Sequence, residues 1–153
     1  MKKTIITIER QYGSGGSAIG KLTAEKLGVN YYNRQILEMT AQRCGMSAEY
    51  LETAEENVPT SFLYSLLLSA NPARTMEDNL PLSDKVFLME SRIINEIADK
   101  EKSFVLVGRC GNYILEEKGC FSVYIYADTK SRIERAINDY QIPENKAESV
   151  MKK

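Results

Sequence analysis

The chain has no histidine, and its three cysteines, Cys44, Cys110 and Cys120, are odd in number and lie far apart. Neither a disulfide framework nor a zinc site is indicated, and a reducing cytoplasm suits such a chain. An excess of charge is missing too: 20 Lys and Arg stand against 21 Asp and Glu, for a net charge of −1. That balance gives no electrostatic footprint for nucleic acid or for an anionic membrane. No apolar run is long enough to span a bilayer, and the basic-then-apolar start MKKTIITIE meets Glu9 and Arg10 where a signal peptide would continue. A mature cytosolic start is the expectation. Internal repeats and low-complexity tracts are also lacking. What remains, 43% hydrophobic and 27% charged residues in a chain of 153, is the composition of one globular domain with area enough for a core of its own.

Strand and helix patterns alternate along the chain. TIITI (4–8) is short, β-branched and bounded by glycines, as a strand buried on both faces would be. From Ser17, the residues Ile19, Leu22, Thr23 and Leu27 recur at helical spacing, and Gly28 closes that helix. VNYYN (29–33) predicts a short second strand. RQILEMTAQRCG (34–45) predicts a helix stopped by Gly45, with Ser47 placed to cap the next. From about Leu51 to Pro81 the pattern is irregular: Pro59, Pro72 and Pro81 surround the apolar FLYSLLL (62–68), and short helices with a mobile loop are expected. FLYSLLL reads as a core or interface face, since it lacks the basic flanks of a membrane-surface helix. KVFLMESRIINEIADK (85–100) puts Val86, Met89, Ile93, Ile94 and Ile97 on one helical face. FVLVG (104–108) and VYIYA (123–127) predict two more strands, separated by a helical NYILEEKG. SRIERAINDY (131–140) predicts an amphipathic helix, capped by Asp128.

Such alternation predicts an α/β fold, a parallel sheet flanked by helices, whose ligands bind beyond the carboxyl ends of the strands. The stretches at those ends are GSGGS, NR and GRCG. A glycine-rich loop between a strand and a helix turns several backbone N–H groups and the positive helix end toward one spot, which suits a phosphate. Against the pattern G-x-x-x-x-G-K-[ST], a register through Gly15, Gly20 and Lys21 fails, because Leu22 stands at the hydroxyl position and the loop would swallow the first helical turn. In the other register Gly13, Gly15 and Gly16 form the loop and Ser17 supplies the hydroxyl. Gly16 then stands at the lysine position and Arg10 at that of the first glycine. A substitute cation could come from Lys21, one turn beyond Ser17 and leaning back toward the helix start, or from Arg10. Arg109, at the end of an apolar strand, has the fork that grips phosphate. Arg34 reads equally well as the first residue of a solvated helix. Arg132 and Arg135, a turn apart beside Glu134 and Asp139, read on their own as a solvated charged face.

Taken together, ITIERQYGSGG, AEKLG, YYNRQIL and VLVGRCGNYIL, in this order over nearly the whole chain, resemble the cytidylate kinase-like family of P-loop nucleoside monophosphate kinase relatives. The resemblance implies transfer of the γ-phosphate of ATP, with magnesium, to a nucleoside monophosphate such as CMP or dCMP. It implies one P-loop kinase-like domain with a helical acceptor-binding region at about 34–84 and a lid beginning at about 129–153. By the same likeness the backbone of Gly13, Ser14, Gly15 and Gly16 cradles the donor phosphates with Arg10 nearby, and Ser17 holds the metal. Asn33, Arg34 and Arg109 lie on the acceptor side, while Arg132 and Arg135 introduce the lid.

The chain departs from better-studied cytidylate kinases at several points. Gly16 replaces the loop lysine, Val107 and Cys110 stand where acidic residues flank the glycine-arginine pair, and Asn33 replaces an Asp. The alternatives are a phosphate-binding, catalytically weak paralogue with a regulatory role, or a kinase for another small acceptor. After QIPENKAESVMKK, where Pro143 opens another helix, kinases of this resemblance continue through a final strand. The chain therefore reads as truncated, with that C-terminal strand and part of the lid missing, and the sheet edge left exposed favours a homo-oligomer.

Overall fold

The structure is a computed structural model and describes residues 3–56 and 82–151. Of the irregular stretch expected from about Leu51 to Pro81, residues 57–81, FLYSLLL included, lie outside them. In chain order the elements are β1 (Thr4–Arg10), α1 (Gly16–Leu27), β2 (Asn30–Tyr32), α2 (Arg34–Cys44), α3 (Ala48–Glu56) and α4 (Leu82–Lys100). β3 (Ser103–Val107), α5 (Gly111–Ile114), a 3₁₀ turn (Glu116–Lys118), β4 (Phe121–Ile125), α6 (Thr129–Asn138) and α7 (Glu144–Met151) follow. The chain divides into two compact units, Met1–Asn33 with Ala98–Lys153, and Arg34–Ile97.

The first unit holds a parallel sheet in the order β2-β3-β1-β4. β1 pairs with β3 from Thr4↔Ser103 to Ile8↔Val107, and with β4 from Ile6↔Phe121 to Arg10↔Ile125. Side chains alternate across the sheet. Ile8, Val105 and Val107 form a buried cluster with Ala24 of α1, and Ile6, Val29, Tyr31 and Ile125 pack around it. α1 comes this close because of Gly20, where a Cβ would stand 2.6 Å from Val107 Cγ2. On the opposite face Phe104 meets Tyr32 edge to face, with ring centroids 5.8 Å apart.

Several boundaries differ from the sequence reading: β1 runs on to Arg10, the helix expected at 131–140 is Thr129–Asn138, and two differences have a clear physical cause. β4 runs 121–125 rather than 123–127, because its ladder is set by β1: once Arg10 has paired with Ile125, the chain turns, and Gln11 N–H closes on the Ile125 carbonyl at 2.9 Å. β4 is also not buried as a run, since Phe121 and Tyr124 are 66% and 59% exposed. The helix expected over NYILEEKG stops at Ile114, where Leu115 leaves helical geometry (φ −105°, ψ 11°) while its side chain is fully buried.

In the second unit, Leu37 and Ala41 of α2, Leu51 of α3 and Val86 of α4 make a common buried cluster. Ser47 Oγ accepts from the Tyr50 amide at 3.2 Å and so caps α3 as expected. A two-pronged Arg43–Glu96 pair at 2.8 and 2.6 Å ties α2 to α4. Val86, Ile93, Ile94 and Ile97 of α4 are buried, with Met89 half-buried, as the helical spacing predicts.

Candidate functional site

β1 ends at Arg10 and α1 begins at Gly16, so five residues must reverse the chain at the carboxyl end of the central strand. They do so through two left-handed glycines, Gly13 (φ 78°) and Gly15 (φ 83°), a conformation that side chains disfavour. Gly15 is the N-cap of α1 and offers no side-chain acceptor, and no acidic residue lies in the first turn. The opening N–H groups of a twelve-residue helix are thus left for an outside anion. Ser14, 6% exposed, has a buried Oγ with no hydrogen-bond partner among the described residues. Ser17 sits in the first turn, not at the cap. A cavity of about 510 Å³ opens onto this backbone, lined by the loop from Gln11 to Ser17 except Ser14, with Arg10 and Tyr140.

The residue standing at the lysine position explains itself in three dimensions. A Cβ on Gly16 would lie 2.6 Å from Arg10 Cβ and 2.9 Å from its Cγ, so the stem of Arg10 covers this position. The Arg10 guanidinium continues to the end of β3, where a side chain on Gly108 would collide with it. Arg10 therefore lines the cavity from the strand, its stem across Gly16 and its charged end beside Gly108. Lys21, the other candidate, is exposed on α1 and is not among the cavity-lining residues. Glu9, next to Arg10 on β1, has one buried carboxylate oxygen without a partner among the described residues. Burial pushes its pKa up, against the Arg10 charge and the Gly111 N–H, which pull it down.

At the end of β2, Asn33 Nδ2 donates to Tyr31 Oη at 3.2 Å, and Tyr31 Oη donates to the Ser17 carbonyl at 3.1 Å. This chain fixes the first turn of α1 from a neighbouring strand. At the end of β3, Gly108, Arg109 and Cys110 are three consecutive left-handed residues, with φ of 72°, 61° and 51°. Two of them are not glycine, which makes this a strained turn of the kind that sites maintain. The Gly108 amide anchors it to Ile8 of β1 at 2.9 Å, leaving Arg109 half-buried between strand and α5.

Asp128 caps α6 as expected: the Ser131 hydroxyl donates to its Oδ2 at 2.6 Å and the Ser131 amide to its Oδ1 at 2.9 Å, and these bonds, the hydroxyl's first, lower the pKa of the carboxyl. The face of α6 carrying Arg132 and Arg135 is not simply solvated, however. Arg132 Nε donates to the Tyr12 carbonyl at 2.7 Å, and a guanidinium nitrogen of Arg135 donates to the Gly13 carbonyl at 2.6 Å. The loop's unpaired carbonyls recruit both arginines, and the missing Cβ of Gly13 lets the Arg132 backbone approach. Arg34 belongs to the helical unit, where it pairs with Glu38 at 3.5 Å and Glu52 at 3.6 Å in exposed positions.

Arg10, Gly13, Gly15, Gly16 and Ser17 thus line one cavity; Ser14 and Asn33 support its walls, and Arg132 and Arg135 hold the loop from behind. Tyr31, Glu9 and Tyr140 were not found from sequence. An acid at the very end of an apolar strand was a signal for Glu9. The two tyrosines give none without strand order and helix packing.

Among described residues no group of His, Cys, Asp or Glu could by itself hold a metal ion, and no helix is long and apolar enough to cross a membrane. No curated protein matches the chain. Among solved structures, it is similar to an uncharacterized protein from Eubacterium ventriosum, at 23% identity and TM-score 0.63, covering 98% of this chain and 70% of that one. It also resembles TT1252 from Thermus thermophilus, at 18% identity and TM-score 0.54 over 97% of this chain and 78% of that one. A shikimate kinase from Acinetobacter baumannii, in complex with shikimate, aligns at 14% identity and TM-score 0.50 over 97% and 74% of the two chains. These likenesses establish a P-loop kinase-like fold. A family model then matches residues 5–153, nearly the whole length, and the kinship that the glycine loop and the strand order suggested becomes definite: this chain belongs to the cytidylate kinase-like family.

Proposed function

We propose that the protein is a cytoplasmic kinase that transfers the γ-phosphoryl group of ATP to a nucleoside monophosphate, CMP or dCMP in the first place. Family membership and the kinase-like fold support a phosphotransfer role. The observation that carries the reading is the loop itself: two left-handed glycines turn backbone N–H groups and an uncapped helix start onto one cavity, with the orphaned Ser14 hydroxyl beside it.

Phosphoryl transfer leaves little covalent work for a protein, so placement of charge is the task. The bond from the γ-phosphorus to the bridging oxygen breaks, a bond to an oxygen of the acceptor's phosphate forms, and ADP leaves with a nucleoside diphosphate as the other product. In this scheme the Gly13–Gly16 backbone holds the donor phosphates, and Arg10 supplies the positive charge that a loop lysine would otherwise bring. Arg109 grips the acceptor's phosphate with its fork. Asn33 and Arg34 serve the acceptor, and Arg132 and Arg135 move between the loop carbonyls and the phosphates; Lys21 adds positive potential along α1. A magnesium ion fits this donor set, because the ion keeps most of its waters and needs only phosphates and one or two protein oxygens. Ser17 would hold it, and the ion would neutralise charge on the donor.

A coupled assay with ATP, magnesium and a panel of monophosphates tests the proposal, with CMP and dCMP expected to be turned over best. Turnover of a different acceptor alone would reassign the substrate. ATP binding without turnover of any acceptor would favour a regulatory, phosphate-binding paralogue. Gly16 is the specific observation in favour of that second reading.

A further inference from the structure

β2 contributes two tyrosines in succession, and the alternation of a strand sends them to opposite faces of the sheet. Tyr32 meets Phe104 and gives its hydroxyl to Glu101, just before β3. Tyr31 instead packs its half-buried ring against the cluster of Ile8, Ala24, Val105 and Val107. Gly20 makes room for it, since a Cβ there would stand 3.2 Å from Tyr31 Cε2. A ring held between α1 and the sheet carries its hydroxyl to one place, the Ser17 carbonyl at 3.1 Å, in the first turn of the helix.

That turn needs a hold from outside. Gly13, Gly15 and Gly16 lead into Ser17, and the N-cap Gly15 brings no side-chain bond, so the approach to this serine is made of the residues with the most conformational freedom to lose. The direction of the tyrosine's bond is set by Asn33. Its Nδ2 donates to Tyr31 Oη at 3.2 Å, which leaves the single phenol proton to be passed onward, and the Ser17 carbonyl takes it. A carboxylate at position 33 would act in reverse: an acceptor only, it would draw that proton to itself and away from Ser17.

We infer that Tyr31 is a positioning residue for Ser17, holding its hydroxyl where it serves the metal, and that the amide of Asn33 keeps the Tyr31 proton turned to that task. The inference rests on the reading that Ser17 holds magnesium. Titration calorimetry of the whole protein with ATP, in the presence and absence of magnesium and without an acceptor, tests it. The quantity read is the ratio of the two affinities, which a general loosening of the fold leaves unmoved. Ser17→Ala should remove most of the preference for magnesium. Tyr31→Phe, which deletes only the hydroxyl, should lower the ratio about three- to tenfold, the worth of one neutral hydrogen bond, while metal-free ATP binds as before. Asn33→Asp should lower it as much, although the charge of a new carboxylate would by itself favour a cation, and should add no further loss in the Tyr31→Phe background. An unchanged ratio in Tyr31→Phe, beside a lost preference in Ser17→Ala, overturns the proposal and leaves the metal reading standing, as does a full ratio in Asn33→Asp. An unchanged ratio in Ser17→Ala, or no magnesium effect in the unaltered protein, removes both.

Discussion

Gly16 and Arg10 are two halves of one arrangement, for the stem of one occupies the space that the other lacks. The contiguous part of the site was legible in the sequence because Gly13, Gly15 and Ser17 fall within one turn of chain and follow a motif. The contact of Arg10 with Gly108 and the bond from Tyr31 to the Ser17 carbonyl were not, since strand pairing makes neighbours of residues that sequence separates. Two outcomes belong to this scale. Ser17→Ala should weaken ATP binding in the presence of magnesium far more than in its absence, as read by calorimetry in both conditions, because Gly15 rather than Ser17 is the helix cap. Glu9→Gln should raise the melting temperature near neutral pH. The Glu9 carboxyl, pushed above its ordinary 4.5 mainly by burial, binds its proton more tightly folded than unfolded. Its contribution to stability is therefore fully present below that value and lost as pH rises, so the advantage of the variant should disappear toward pH 4 in a series of melts.

Among the elements, α6 best separates what pattern reveals from what packing decides. Its amphipathic spacing and its Asp128 cap are local, and both were readable; its use of Arg132 and Arg135 as clamps on the loop depends on carbonyls some 120 residues earlier, 120 and 122 by the two bonds. Strand and helix ends behaved alike. β4 starts where β1 offers a partner, and α5 ends where burial of Leu115 takes precedence over helical periodicity. The tightness of the clamp can be measured. Gly13→Ala would place a Cβ 2.9 Å from the Arg132 carbonyl oxygen in a residue at φ 78°. It should cost about 1–3 kcal/mol in urea unfolding, with faster hydrogen exchange across α6 than across β3.

For the whole molecule, strand order places the chemistry. The connection leaving β1 runs past β3 to β2, whereas the one leaving β3 crosses to β4 on the other side, so a crevice opens between the carboxyl ends of β1 and β3. GSGGS and GRCG flank that crevice, as the sequence reading expected for a parallel sheet. The sequence could not tell that β4 would be an exposed strand, for apolar VYIYA reads alike at an edge and at a centre. β1 bears most of the sheet, and Ile8→Ala, at a residue 2% exposed beneath α1, should cost about 2–5 kcal/mol in denaturant unfolding.

The central position of β1 also imposes an order of events during synthesis. Once made, β1 cannot pair with either neighbour until far later, since Thr4 lies 99 residues before Ser103 and β4 is later still. At ribosomal speeds TIITIER waits about 5–20 s with both backbone edges unsatisfied. For that interval the same β-branched run that later centres the sheet is a sticky ribbon. Holding it apart falls to whatever meets the nascent chain, and long loop closure makes its eventual docking slow. The strand that presents the glycine loop thus emerges long before its partners and is among the last to be secured.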